Sequence, residues 1–146
     1  ANFIGVKECA GNERIAHYEQ QGIACWSGND DESFVGKHQH NAHGVISVAA
    51  NIVPELMRQL MDHNDVALNE RSQGLMKWLF CEPNPIAINT ALMMTEAVSA
   101  NFRLPYHALT LAQRQQGFTL LSAIDKKQLV GDALKLMADE DFNYCE

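Results

Sequence analysis

The 146-residue sequence has no long apolar run and few basic residues for its size. A transmembrane helix needs about 20 consecutive apolar residues, and no stretch approaches that length. The 11 lysines and arginines are outnumbered by 18 acidic residues, so the formal net charge is -7. Nucleic acids and anionic membranes are bound through basic patches. We therefore expect neither kind of partner.

The sequence also lacks paired cysteines. Its four cysteines (Cys9, Cys25, Cys81 and Cys145) show no CxxC spacing of the kind found in metal sites and redox pairs. Cys25 lies inside a predicted strand, where a small apolar side chain suits a core position. We interpret all four as reduced thiols in an intracellular compartment.

The beginning of the sequence lacks an initiator methionine, a signal peptide and a transit segment. Ala1 and Asn2 lead almost at once into an apolar segment that we predict to be a buried strand. We therefore expect the chain to be a piece of a longer protein.

Three strand–loop–helix units are predicted in the first 63 residues. The strands cover residues 3–8, 23–28 and 45–48, each followed by a loop and a segment with helical patterning. Such repeats form a parallel sheet with right-handed crossovers. Three units cannot close an eight-stranded barrel, and the outer strands would expose unpaired edges.

From Val66 onward the pattern is helical. We predict helices over residues 68–80, 86–98 and 109–124, an extended connector over 102–106, and a weaker helical segment over 125–146. The sequence as a whole thus predicts an α/β part followed by a helical part.

Lys7 is the strongest candidate for chemistry. It lies at the C-terminal tip of the first predicted strand, on the same face as Phe3 and Gly5. Residues at that end of a strand form the active sites of α/β barrels. A partly desolvated amine there could attack a carbonyl. The alternative is a solvated lysine that only closes the strand.

Other clusters have simpler explanations. His38, His40 and His43 could suggest metal binding, but they end a predicted surface helix, and we expect no metal site there. The acidic run from Asp30 to Glu32 suits a helix N-terminus, because it complements the helix dipole. The pair Met93–Met94 is interpreted as core.

Six short motifs together resemble one enzyme family, dihydrodipicolinate synthase (4-hydroxy-tetrahydrodipicolinate synthase), and most closely its plant-type members. The motifs are Gly5–Glu8, Trp26–Asp31, Gly44–Val48, Trp78–Phe80, Glu82–Ile86 and Phe102–Tyr106. Each is weak alone, but all six occur in the family's order and spacing across residues 1–124.

The resemblance implies a fold larger than this chain. The family has a (β/α)8 TIM barrel followed by a C-terminal helical domain. Residues 1–63 would be the last three βα units of the barrel, and residues 64–146 the helical domain. About five earlier strands would lie outside this sequence, together with the family's proton-relay tyrosine and threonines and its carboxylate-binding arginine.

The resemblance also implies a carbon–carbon lyase of lysine (diaminopimelate) biosynthesis. Lys7 would form a Schiff base with pyruvate, and the resulting enamine would attack L-aspartate 4-semialdehyde, with no metal or cofactor. The backbone of Ile46 would line the pyruvate site, and Gly28 would leave room for the adduct. An apolar strand residue and a turn glycine also have purely structural explanations.

Further expectations follow from the family. The complete enzyme would be a homotetramer, in the plastid if it is plant-type and otherwise in the cytoplasm. Cys9 stands where many members have threonine or valine. We expect a small buried thiol there, although it could tune the pocket or be reactive. Two alternatives remain open: another pyruvate-dependent class I lyase, such as one acting on N-acetylneuraminate, or a non-catalytic helical interaction module.

Overall fold

The computed structural model describes residues 2–145 and shows an α/β chain with six helices and five short strands in that range. In chain order these are β1 (Val6–Glu8), α1 (Asn12–Gln20), β2 (Cys25–Ser27), α2 (Asp30–Gln39), β3 (Gly44–Val45), α3 (Pro54–Asp62), α4 (Val66–Leu79), α5 (Ile86–Met94), β4 (Asn101–Arg103), α6 (Leu111–Ser122) and β5 (Asn143–Cys145). Short 3-10 turns cover Ala49–Asn51, Lys126–Gln128 and Asp139–Asp141.

The chain divides into two compact units. The first comprises Ala1–Val48 and Glu55–Gln73, and the second comprises Ala49–Pro54 and Gly74–Glu146. Each unit has its own sheet and its own buried cluster of apolar side chains.

The first unit contains a parallel sheet in the order β1-β2-β3. Val6 pairs with Cys25, Lys7 with Trp26, and Ser27 with Val45. The predicted parallel βα pattern is confirmed. The strands are shorter than expected because Phe3 and Ile4, which were assigned to the first strand, are 64% and 83% exposed and precede the paired residues.

Each strand of the first sheet is followed by a helix with its own start signal. Helix α1 follows Gly11, whose φ of 120° suits only glycine. Asn12 is the first helical residue, and its side chain donates a hydrogen bond to the Glu32 carbonyl at 3.2 Å. The acidic first turn of α2 is confirmed. Pro54 is the first residue of α3, a position that suits proline.

One face of this sheet packs on the helices. Ile15, Cys25 and Ala42 are fully buried together, and Val6 and Tyr18 pack against them. Because side chains alternate along a strand, Val6 and Cys25 lie on this face, whereas Lys7 and Trp26 lie on the opposite one. The burial of Cys25 within a strand agrees with the sequence.

In the second unit, α4 and α6 approach closely at a glycine. Trp78 is 2% exposed, and its indole Nε1 donates to the Gln113 carbonyl at 2.8 Å. A Cβ on Gly117 would stand 2.0 Å from Trp78 Cζ2, so only glycine fits there. Thr110 and Gln113 form a capping box that begins α6.

The C-terminal segment differs from the sequence prediction. The prediction of a weak helix over residues 125–146 is wrong: this segment contains 3-10 turns and β5, which pairs in parallel with β4. Met137 and Phe142 are buried against Phe102 and the Met93–Met94 pair. The fold here is decided by packing onto a distant part of the chain, which local helical patterning cannot report. The methionines do fill a core.

Within the described range no helix is both long enough and apolar enough to cross a membrane. All four cysteines fall in that range and are free thiols.

Substitution by alanine should have opposite effects on stability at two glycines, Gly117 and Gly74, because their surroundings differ. Gly117→Ala should lower the free energy of unfolding by about 1–3 kcal/mol, because the added methyl group overpacks a buried indole. Gly74→Ala, at an exposed position of α4 with only the end of the Leu120 side chain at 3.3 Å, should raise it by about 0.5–1 kcal/mol through helix propensity. Urea unfolding of both variants checks this, and equal midpoints would contradict it.

The open edges of the sheet predict self-association of the 146-residue chain. Among residues 2–145, β1 and β3 are each paired only with β2, and Phe3, Ile4 and Ile46 are at least half exposed. Such edges and apolar patches recruit other chains. We expect size-exclusion chromatography to show species larger than the 16.3 kDa monomer.

A charged substitution provides the control. Ile4→Lys places a charge beside the edge of β1 and should shift the elution toward the monomer. A monodisperse monomer of the unsubstituted chain would show that these edges do not associate.

Candidate functional site

The carboxyl ends of the three parallel strands are tied together by backbone hydrogen bonds. The Gly28 amide donates to the Glu8 carbonyl at 2.7 Å, and the Ile46 amide donates to the Ser27 carbonyl at 2.8 Å. The ladder therefore continues one residue beyond β2 and β3. It brings Lys7, Gly28 and Ile46, the three residues singled out by the sequence, to one end of one sheet.

Lys7 and Gly28 are direct neighbours. Lys7 is exposed, and a Cβ built on Gly28 would stand 2.6 Å from Lys7 Cε and 3.3 Å from its Cγ. The lysine chain therefore crosses the space that the absent side chain leaves. Any residue larger than glycine would displace the lysine.

Ile46 lies one strand farther away, directly after β3. Its amide is held by Ser27, and its side chain is 51% exposed. It is separated from Lys7 by the width of β2. Its backbone is therefore at the same sheet end as the lysine, while about half of its side chain is open to solvent.

Trp26 covers the sheet on the lysine face. It pairs with Lys7 in register, and a Cβ on Gly5 would lie 2.4 Å from its Cζ3. The His43 ring lies 5.4 Å from the indole between ring centroids. The indole thus forms an apolar surface beside the base of the lysine side chain, with Gly5 and Gly44 next to it.

Glu8 points to the opposite face and anchors the loop after β1. It is 7% exposed, and its carboxylate accepts hydrogen bonds from the Ala10 amide at 2.6 Å and from Arg14 Nε at 2.9 Å. Burial alone would raise the pKa of Glu8, but these hydrogen bonds and the Arg14 charge lower the pKa below its ordinary value. The carboxylate is therefore a structural anion.

Cys9 is exposed, which contradicts the expectation of a buried thiol. Cys9 comes two residues after Lys7, and side chains two apart along a strand point to the same side. A Cβ built on Gly28 would stand 2.2 Å from Cys9 Sγ and 2.6 Å from Lys7 Cε. The thiol therefore belongs to the surroundings of the lysine.

Two polar residues that position this end of the sheet were not recognised as such in the sequence. Asn29 Nδ2 donates to the Cys9 carbonyl and to Glu32 Oε2, both at 3.1 Å. Asp30 Oδ2 accepts from the Val48 amide at 3.0 Å, and Asp30 is 2% exposed. The sequence explained Asp30 by the helix dipole alone. Its position shortly after the end of β2 could have indicated a residue that ties the strand ends together.

The histidine cluster does not converge on one point. His38 bonds the Leu60 carbonyl through Nε2 at 2.8 Å, whereas His43 Nδ1 contacts Glu19 Oε1 at 3.2 Å. In the part of the chain described, no group of three or more His, Cys, Asp or Glu side chains is arranged to hold a metal ion.

Comparison with known proteins decides the family. A family model described as the dihydrodipicolinate synthetase family matches residues 1–124. The chain belongs to this family.

Similarity to other members of the dihydrodipicolinate synthetase family extends over nearly the whole chain. It is 48% identical over 143 residues to the chloroplastic 4-hydroxy-tetrahydrodipicolinate synthase of Zea mays, covering 97% of this chain and 38% of that protein. The corresponding protein of Nicotiana tabacum is 46% identical over 143 residues, covering 97% of this chain and 40% of its own length.

Solved structures of the family agree with the fold. The dihydrodipicolinate synthase of Thermotoga maritima matches with a TM-score of 0.72 and 27% identity, covering 82% of this chain and 45% of that one. The chain thus spans less than half the length of the family members it matches.

The lowered pKa of Glu8 predicts a pH-dependent contribution to stability. The carboxylate is favoured in the folded state, so its contribution is complete above the ordinary value of 4.5 and is lost as the pH falls below it. Glu8→Gln should therefore lower the free energy of unfolding by about 1–3 kcal/mol at pH 7, because it weakens charge-assisted hydrogen bonds.

The difference between Glu8→Gln and the unsubstituted chain should shrink in urea unfolding curves as the pH drops below 4.5. Glu70→Gln, at an exposed position of α4, serves as the control and should show no such change. A difference that stays constant from neutral to acidic pH would disprove the assignment.

Proposed function

We propose that this chain supplies the imine-forming lysine of a 4-hydroxy-tetrahydrodipicolinate synthase and acts as part of that enzyme. The observation that carries the proposal is the position of Lys7, exposed at the carboxyl end of a parallel strand with its side chain crossing the space over Gly28. The high identity to plant synthases over this same segment supports it.

The proposed architecture follows the family. Residues 1–63 form the last three βα units of a (β/α)8 barrel, and residues 64–146 form its C-terminal helical domain. The unpaired edges of β1 and β3 would then be the edges at which the remaining barrel strands pair. The Trp26 face of the sheet would be the barrel interior.

The proposed reaction is a class I aldolase-type condensation. The unprotonated amine of Lys7 attacks the ketone of pyruvate, water is lost, and an imine forms. Loss of a methyl proton gives an enamine, because the protonated imine accepts the electron pair. The enamine attacks the aldehyde of L-aspartate 4-semialdehyde, and the product amine then displaces Lys7 as the ring closes.

The neighbouring residues have separate proposed roles. Gly28 leaves room for the lysine and its adduct, and the backbone at Ile46 lines the pyruvate site. Trp26 provides an apolar wall beside the lysine stem. The ties from Gly28 to Glu8 and from Asn29 to Cys9 hold the loops that surround the amine.

Two further properties are proposed from the relatives. The plant synthases of high identity carry the description chloroplastic, so we place this protein in the plastid. We also propose that the complete enzyme is a homo-oligomer, a tetramer as in the family.

Borohydride trapping tests the role of Lys7. The 146-residue chain alone is expected to give only background turnover, because general acid–base groups worth about 10²–10⁴ in rate lie on other family strands. The chain should therefore be joined to the preceding part of the maize synthase. We expect borohydride with pyruvate to modify Lys7, as mapped by mass spectrometry of peptides.

Two lysine substitutions complete the test. Lys7→Arg should abolish both trapping and turnover, because a guanidinium stays protonated and does not condense. Lys37→Arg should leave both within a few-fold, since the Lys37 Nζ donates to the His43 carbonyl at 3.4 Å and has no proposed role in the reaction. Modification of Lys37 or Lys77 in place of Lys7 would refute the proposal. Trapping with pyruvate but turnover only with N-acetylneuraminate would assign the chain to a different lyase.

A further inference from the structure

Two nucleophilic side chains share the space above Gly28. A Cβ at that glycine would stand 2.2 Å from Cys9 Sγ and 2.6 Å from Lys7 Cε. Two atoms that lie so close to one point are direct neighbours. The thiol is therefore packed beside the last carbons of the lysine chain, at the end that carries the amine.

The position of Cys9 is restrained on both sides. Its carbonyl accepts a hydrogen bond from Asn29 Nδ2 at 3.1 Å. The residues that flank it are joined because the Ala10 amide donates to the Glu8 carboxylate at 2.6 Å, and the Glu8 carbonyl accepts from Gly28 at 2.7 Å. With residues 8–10 held in this way, the backbone of Cys9 stays beside Gly28. The thiol can leave the lysine side chain only by rotation about its own Cα–Cβ bond.

The thiol is also accessible, since Cys9 is exposed. A group added to its sulfur must occupy space. The backbone around Gly28 is held by hydrogen bonds, so the neighbour most able to move is the lysine side chain. Lysine side chains have four rotatable bonds and rearrange easily. A substituent on Cys9 would therefore redirect the amine or cover it.

We propose that Cys9 is a positioning residue for Lys7 and that a small thiol bound to it as a mixed disulfide switches the amine off reversibly. The inference rests on the proposed function of Lys7 for its consequence in catalysis, whereas the coupling of the two side chains stands on geometry alone. The reacting partner is a low-molecular-weight disulfide.

The switching step is thiol–disulfide exchange. The Cys9 thiolate attacks one sulfur of the small disulfide, a new S–S bond forms to Cys9, and the other half leaves as a thiolate. Attack on the mixed disulfide by a free thiol reverses the step. The exchange is balanced without any other oxidant or reductant.

The enzyme made by joining this chain to the preceding part of the maize synthase is tested with bis(2-hydroxyethyl) disulfide, a small neutral probe that contains no amine. Acetylation of Lys7 by acetic anhydride is followed by mass spectrometry and divided by that of Lys37 in the same sample. We expect modification of Cys9 to reduce this ratio several-fold and dithiothreitol to restore it. An unchanged ratio at complete Cys9 modification would overturn the proposal.

Cysteine variants identify the responsible thiol. Cys81 and Cys145 are also exposed, so the probe modifies them too. Cys81→Ser and Cys145→Ser should leave the starting ratio unchanged and keep the sensitivity, whereas Cys9→Ser should remove the sensitivity. Persistence of the effect in Cys9→Ser would overturn the proposal. If Cys9→Ser fails to fold, the double variant Cys81→Ser/Cys145→Ser is used, in which Cys9 is the one exposed thiol of residues 2–145. A fall in the acetylation ratio that dithiothreitol reverses in this variant supports the proposal, and an unchanged ratio overturns it.

Trapping with pyruvate in the joined enzyme separates this inference from the proposed function. If Cys9 modification lowers both acetylation and trapping, both proposals are supported. If acetylation responds but Lys7 never traps pyruvate, the function proposed for Lys7 fails and the coupling stands. If Lys7 traps pyruvate at the same rate with Cys9 free or modified, the coupling fails and the function stands.

Discussion

The pairing of β2 with a parallel strand on each side is the constraint on which the candidate site depends. The ladder extends beyond the strands through Gly28 to Glu8 and through Ile46 to Ser27. Parallel hydrogen bonds bring strand ends together at one edge. Three residues separated by about 20 positions in the sequence therefore meet, and the chemistry of Lys7 depends on backbone geometry before any side chain is considered.

Absent side chains shape this site as much as present ones. Gly5 admits the Trp26 indole, and Gly28 admits both the lysine chain and the Cys9 sulfur. In each case an ordinary Cβ would occupy the volume that the neighbour fills. The lysine side therefore consists of a wide aromatic ring and a flexible amine lying across glycines, while the other side is closed by Ile15, Cys25 and Ala42.

The second unit is stabilised by long-range packing. Arg114 is 2% exposed and donates to the Leu109 carbonyl at 2.6 Å, and it also pairs with Asp139 and lies over the Phe142 ring. These contacts, with the pairing of β4 and β5, hold the C-terminal segment. A buried guanidinium needs such partners, because an unpaired charge is costly in a core.

The sequence alone determined the three βα units, the parallel character of their sheet and the strand-end position of Lys7. These properties arise from patterns within a few residues, such as alternation and helix starts. The role of Gly28 came from the family resemblance. Only the tertiary structure decided that Cys9 is exposed, that Asn29 and Asp30 tie the loops, and that residues 143–145 form a strand. Each of these depends on contacts between distant segments, and local patterning carries no record of them.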